Sequence, residues 1–176
     1  HGSTPGDKKC GVCQVFHGRR ISRELGLPPP PPEAEGKEGG GKGGQPPVDP
    51  KSEAEDAQTA DTKRFYKDPI AIDLVAHSLK LSTINQKDYD AVFYPGGHGP
   101  LWDLATDENS INLIEGFYNH QKPIAFVCHS PAALVNVEVK NGEPLVKGKQ
   151  LTCFSNTEEE ALKLTKIVPF LLEDEL

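Results

Sequence analysis

The sequence contains no methionine, few cysteines and no long apolar run, and each shortage excludes something. A chain that opens on His1 and has no Met is expected to be less than a complete open reading frame, with pieces missing. No apolar stretch approaches the length a bilayer crossing needs and no signal-peptide pattern opens the chain, so no membrane partner is expected. Four cysteines at uneven positions do not form a disulfide framework, which predicts a reducing compartment. Basic residues are outnumbered: a net charge of −7 and a pI near 5.4 exclude a broad nucleic-acid-binding surface. The closing Glu173-Asp174-Glu175-Leu176 has the outline of an ER-retention signal. It lacks the usual basic residue and reads as a charged helix end.

What is present divides in two. Residues 1–46 hold the proline run Pro28 to Pro32 and the glycine-rich Gly39 to Gly44, interrupted by Lys42. Such a stretch buries too little apolar surface to offset chain entropy and is expected to be a disordered tail. Within it, Cys10-Gly-Val-Cys13 has CxxC spacing, but no second pair completes a metal site and coincidence is the better reading. Residues 47–176 are orderly and long enough for one domain with a core.

Asp49 to Thr62 is polar and acidic, a surface loop or short helix. Asp68-Pro69 supplies an N-cap and a first-turn proline. Ile72, Val75 and Leu79 then predict an amphipathic helix to about Leu81, with His77 a solvated residue beside the stripe. Asp90-Ala-Val-Phe-Tyr-Pro95 reads as a short buried strand running into Gly96-Gly97-His98-Gly99-Pro100. Thr106 to His120 is a helix with Ile111, Ile114, Phe117 and Tyr118 on its apolar side, stopped by Pro123. Ile124 to Val127 is a second strand. The order predicts a βαβ unit in a parallel sheet. Leu145-Val146 and Leu151-Thr152-Cys153-Phe154 suggest a hairpin or two short strands, with Cys153 in the core. Thr157 with Glu160 offers a capping box for a last helix bearing Ala161, Leu164 and Val168 on one face.

The informative stretch is Ile124-Ala-Phe-Val-Cys-His-Ser-Pro-Ala-Ala-Leu134, a strand, an elbow and a small-residue helix. A side chain at such an elbow stands at the carboxyl edge of the sheet with helix N–H groups aimed at it, which favours a thiolate. By itself the segment supports equally a nucleophilic Cys128 and a buried cysteine finishing a strand. Ligands of open α/β sheets bind at that edge, where the Gly96-Gly97-His98-Gly99 loop also lies. An N–H from Gly97 or His98, with that of His129, could hold an oxyanion. His129 could act as base or acid once a carboxylate fixes its tautomer. Glu158, Glu159 and Glu160 are the acidic candidates, although acids in a first helical turn need no such purpose.

Asp90-Ala-Val-Phe-Tyr-Pro-Gly-Gly-His-Gly-Pro-Leu-Trp-Asp-Leu-Ala105 and Phe126-Val-Cys-His-Ser-Pro-Ala-Ala-Leu134 resemble the PfpI-like superfamily, which has the class I glutamine amidotransferase-like fold. Within it they are most similar to the glutathione-independent glyoxalase (glyoxalase III, D-lactate dehydratase) and heat-shock chaperone branch. Pro47-Val-Asp-Pro-Lys-Ser52, Gly148-Lys-Gln-Leu-Thr152 and Val168-Pro-Phe-Leu-Leu-Glu-Asp-Glu-Leu176 extend the likeness over roughly residues 46–176. It implies an α/β, flavodoxin-like sandwich, a mostly parallel sheet with helices on both faces, incomplete in this chain. It implies Cys128 as nucleophile, His129 as its partner and an acid of the 158–160 run as third member, Glu159 favoured; Gly96, Gly97 and His98 are the substrate and oxyanion candidates from the loop itself. Ser130 stands where this branch commonly has glycine, a departure the elbow is expected to tolerate.

Members of the family open with a βα unit whose helix carries a glutamate beside the cysteine. Nothing in residues 1–46 matches it (Glu24 precedes Leu25-Gly-Leu and the prolines), and the family's closing segment beyond Leu176 is not matched. An inner strand and one carboxylate are therefore expected to be lacking. The implied activity is conversion of methylglyoxal to D-lactate through a cysteine hemithioacetal, without cofactor or metal. The alternatives are a holdase chaperone of unfolded clients, a protein deglycase, or an inactive truncated copy; a cysteine peptidase or amidotransferase ranks lower. A homodimer and a cytoplasmic location, with the nucleus as a second compartment, follow only from the resemblance.

Overall fold

Val92 and Tyr94 point to one face of their strand and Ala91 and Phe93 to the other, and only the first pair is buried. That alternation sets the architecture of the computed structural model, which describes residues 12–14 and 50–176. Strand β2 (Ala91–Tyr94) lies between β1 (Val12–Gln14) and β3 (Ile124–Phe126), all parallel, with Val12 opposite Ala91 and Val92 opposite Ile124. Between β2 and β3 the chain passes through helix α3 (Glu108–Asn119). The expected βαβ unit, parallel sheet and α/β class are present. The strand at Val12–Gln14 differs from the tail predicted there, because ladder bonds use backbone groups that any non-proline residue supplies, whatever the surrounding composition. Cys13 lies in this strand, whereas Cys10, the prolines and the glycine-rich run lie outside the described residues.

Asp107 caps α3 by accepting from the N–H groups of Asn109 and Ser110 at 2.8 and 3.0 Å. Its spacing buries Ser110, Leu113, Ile114 and Phe117 against Val92 and Tyr94, and Leu104, Ala133, Leu134, Val137 and Leu145 close the cluster. Tyr118, expected on this face, is exposed. A smaller cluster joins Leu101, Ala105, Ala132 and Leu172.

Other elements depart from expectation. Helix α1 (Ala60–Phe65) follows two 3₁₀ turns in the acidic stretch, and α2 (Pro69–Ala76) begins at the predicted cap, Asp68 accepting from Ile70 and Ala71. It stops at Ala76 instead of Leu81, which frees Leu81 and Ile84 to pack on the α3 cluster. Its stripe is not a core stripe. Ile70 and Leu74 are 72% and 69% exposed, Ile72 and Leu79 are also exposed, and Val75 is half-buried. The hairpin lies earlier than predicted: Glu138 bridges Pro144, Leu145 N–H donates to Val137 O at 2.8 Å, and Asn141-Gly142, with Gly142 at φ 77°, makes the turn. Residues 151–154 form no ladder. Cys153 is half-buried beside the smaller cluster, where burial pushes its thiol up.

After the elbow, the expected helix is a 3₁₀ turn of five residues, Ser130–Leu134, and Val135 and Val137 do not extend it. Ser130 is fully buried. Its Oγ lies 2.8 Å from both Tyr94 O and Val127 O, the one hydroxyl proton serving both, and accepts from Val127 N–H at 2.8 Å. A glycine there could not tie the end of β2 to the end of β3.

Phe117→Ala is expected to lower unfolding free energy by about 3–5 kcal/mol, and Leu74→Ala by less than about 0.5 kcal/mol, both read from denaturant midpoints. Ser130→Ala, which leaves the Val127 N–H without its acceptor, is expected to cost about 1–3 kcal/mol in the same measurement.

Candidate active site

Two loops leave the carboxyl ends of β2 and β3 and meet. At the first, Gly97 takes φ 106°, a turn open to glycine. At the second, Cys128 takes φ 62°, a conformation that costs a non-glycine residue about 1–3 kcal/mol and is held here by the surrounding contacts. The loops touch at Gly96: a Cβ built there would lie 2.6 Å from Cys128 Cβ and 3.1 Å from Val127 O. Gly96 is therefore a spacer against the cysteine. Cys128 O accepts from Phe154 N–H at 3.1 Å, which brings the segment before Asn156 to the same edge.

Helix α4 (Asn156–Ala161) is capped by Ser155 and Glu158, two residues before the predicted Thr157 and Glu160. Ser155 N–H donates to Glu158 Oε2 at 2.8 Å and Glu158 N–H to Ser155 Oγ at 3.3 Å. These capping bonds hold the Glu158 carboxyl below its ordinary range. Two residues are about 200° of helix rotation, and the earlier start turns Glu159 inward. Of the three acids, Glu159 is buried while Glu158 and Glu160 are exposed.

A line of contacts results. Cys128 Sγ, on an exposed residue, lies 3.3 Å from Nδ1 of the fully buried His129. His129 Nε2 lies 2.6 Å from Glu159 Oε2, and His98 Nε2 lies 3.0 Å from Glu159 Oε1. With Nε2 of His129 donating to the carboxylate, its Nδ1 keeps a lone pair facing the sulfur. Burial drives the His129 pKa down, against the upward pull of the Glu159 bond, with the nearby His98 adding to the lowering. The ring stays neutral below the usual imidazole pKa. Such a thiol, base and carboxylate can pass a proton from sulfur to imidazole and stabilise the cation formed.

Two contributions go beyond the residues' expected roles. His98 was expected through its backbone N–H. Its ring instead shares Glu159 and packs on His129 with centroids 4.0 Å apart. Phe154, one of the residues predicted as a strand, stacks on the His129 ring at 4.1 Å. The only signal for it was an aromatic directly before a capping segment. Among the described residues His98, His129 and Glu159 also form a group with the donor types of a metal site. The glutamate of the N-terminal unit concerns residues 1–46, which lie outside the described residues apart from 12–14. No helix of the described residues is long and apolar enough to cross a membrane.

Glyoxalase 3 of Candida albicans is 36% identical over 90 residues, covering 51% of this chain and 38% of that protein. A probable glutathione-independent glyoxalase of Schizosaccharomyces pombe is 33% identical over 90 residues, 51% of this chain and 40% of that one. The chain thus spans about two fifths of the length of these curated relatives. Among solved structures, the 24 kDa Rapid Encystment Protein of Francisella tularensis superposes with a TM-score of 0.71 at 37% identity, over 76% of this chain and 59% of that one. Glyoxalase III of Candida albicans gives 0.61 at 28%, over 66% and 50%. The sheet and its neighbours are those of the expected α/β fold. The sequence profile of the DJ-1/PfpI family matches residues 64–167, more than half of the sequence, and the chain belongs to the DJ-1/PfpI family.

Proposed function

We propose that this chain carries the site of a glutathione-independent glyoxalase that converts methylglyoxal to D-lactate. The observation that carries the reading is the line from exposed Cys128 Sγ through His129 to buried Glu159, at 3.3 and 2.6 Å. The names of the relatives supply the substrate class: a small aldehyde.

In this reading Cys128 gives its proton to His129 Nδ1 as sulfur bonds to the aldehyde carbon, and Glu159 stabilises the imidazolium. The new alkoxide, a hemithioacetal once protonated, would lie by the Gly96-Gly97-His98 loop and take its N–H groups as donors. His129 then moves the proton of the thiol-bearing carbon to the neighbouring carbonyl carbon through an enediolate. Two electrons shift from one carbon to the other, so no external oxidant is needed. The product is a thioester. Water adds to it, the C–S bond breaks, and lactate leaves as sulfur regains its proton.

A second reading, a holdase for unfolded clients, is supported by the exposed Phe65, Tyr66, Ile70, Leu74 and Leu79 on and beside α1 and α2. It needs no thiol.

The test is D-lactate formed from methylglyoxal without glutathione. Cys128→Ala is expected to reduce kcat/KM about a thousandfold or more, and Glu159→Gln about a hundredfold or more. Equal activity in Cys128→Ala, or none in the unaltered chain, removes the glyoxalase reading, and suppression of client aggregation that survives Cys128→Ala would put the holdase in its place. The pH profile gives an independent check. Because the His129 pKa is lowered, the rate should hold below pH 6.5 and fall only as the lowered value is crossed. Stability should follow the same sign. Between that value and about 6.5 the unfolded chain binds a proton that the folded chain excludes, so stability rises with pH across the window.

A further inference from the structure

The site holds more donors than a nucleophile and its base require. One ring nitrogen from each of His98 and His129 and a carboxylate oxygen of Glu159 all lie within 4.8 Å of one another. Two imidazoles and a carboxylate form a donor set suited to borderline divalent transition cations. His129 and Glu159 are buried, their side chains 1% and 5% exposed, so the set is shielded from competing water. The His98 side chain, 23% exposed, leaves an approach from solvent. Cys128 Sγ lies at the other nitrogen of His129 and is not a member of the set.

We infer that His98, His129 and Glu159 form a site for a single cation of the Zn²⁺ or Co²⁺ kind, and that its occupation turns the Cys128–His129 pair off. Bonds of about 2.0–2.1 Å around a tetrahedral ion set neighbouring ligand atoms about 3.3 Å apart. The widest pair of donors, up to 4.8 Å apart, must close by up to about 1.5 Å, and His98 is the least buried of the three side chains. In the hydrogen-bonded arrangement each ring carries its proton on Nε2, facing Glu159. Coordination takes the Nε2 lone pair and the proton passes to Nδ1 of the same ring, which stays neutral. His129 then faces Cys128 with an N–H and has no lone pair for the thiol proton. A fourth coordination position is left for water. Binding stands independently of the glyoxalase reading; the loss of turnover rests on it.

The experiment titrates the full chain and its variants with Co²⁺, following visible d–d absorption and counting bound cations by equilibrium dialysis. One Co²⁺ per chain is expected, with Cys128→Ala binding within about threefold of the unaltered chain, and His98→Ala and Glu159→Gln each weakening binding at least about tenfold. Circular dichroism melts verify folding, and His98→Gln stands in should the alanine variant melt early. Zn²⁺ should displace Co²⁺ and suppress D-lactate formation, with a chelator restoring it. A Co²⁺ signal lost in Cys128→Ala, undiminished binding by the His98 variants, or no binding would each overturn the site. Co²⁺ held by Cys128→Ala in a chain that makes no D-lactate would keep the site and remove the glyoxalase reading instead.

Discussion

A buried carboxylate between two imidazoles is the constraint on which the rest of the arrangement depends. Glu159 sits 4% exposed, and a charge taken that far from water is tolerable only with strong donors on it. His129 and His98 supply them, at 2.6 and 3.0 Å. For His129 to reach inward, the chain before it must take the left-handed conformation seen at Cys128, and Ser130 must anchor that turn to the end of β2. For Glu159 to reach inward, α4 must start at Ser155. The bonds that satisfy the buried carboxylate are thus the bonds that orient His129, and Cys128 is the one exposed member of the line.

Much of this was legible in the residues. The apolar run Ala91 to Tyr94, the glycines after it, the cap and stripe of α3 and the run into Cys128 define a βαβ unit through signals that are local and redundant. From the residues alone the acid facing His129 was legible as a run of three, within which the family resemblance favoured Glu159. Spacing cannot choose among Glu158, Glu159 and Glu160, because the choice is made by the rotational phase of a helix whose start was misread by two residues. Thr157 with Glu160 satisfies the capping pattern as well as Ser155 with Glu158. What separates them is tertiary, since Asn156 N–H also donates to Glu173 Oε2 at 2.6 Å, tying the start of α4 to helix α5 (Leu172–Glu175).

The remaining misses have similar causes. Helix α2 ends early because Leu81 and Ile84 are drawn to α3, a pull invisible in a stripe that reads as continuous. The β1 triplet is masked by the composition around it. The hairpin at Asn141-Gly142 carried an ordinary turn signal, but the apolar pairs farther along drew the strands to the wrong place. The side-chain role of His98 could not be read at all, because His98 and Glu159 are 61 positions apart and meet only when both loops are in place.

That separation has a kinetic meaning. Every contact of the Glu159 carboxylate closes a long loop, 30 residues to His129 and 61 to His98. Helix α3 and the 3₁₀ turn can form from neighbours along the chain, whereas the carboxylate finds its rings only after the sheet edge has assembled. The site is therefore among the last parts of the molecule to take shape and the first to be lost on partial opening. A thiol beside a correctly held imidazole becomes a read-out of whether the whole edge has folded, and a half-assembled chain carries an ordinary cysteine in its place.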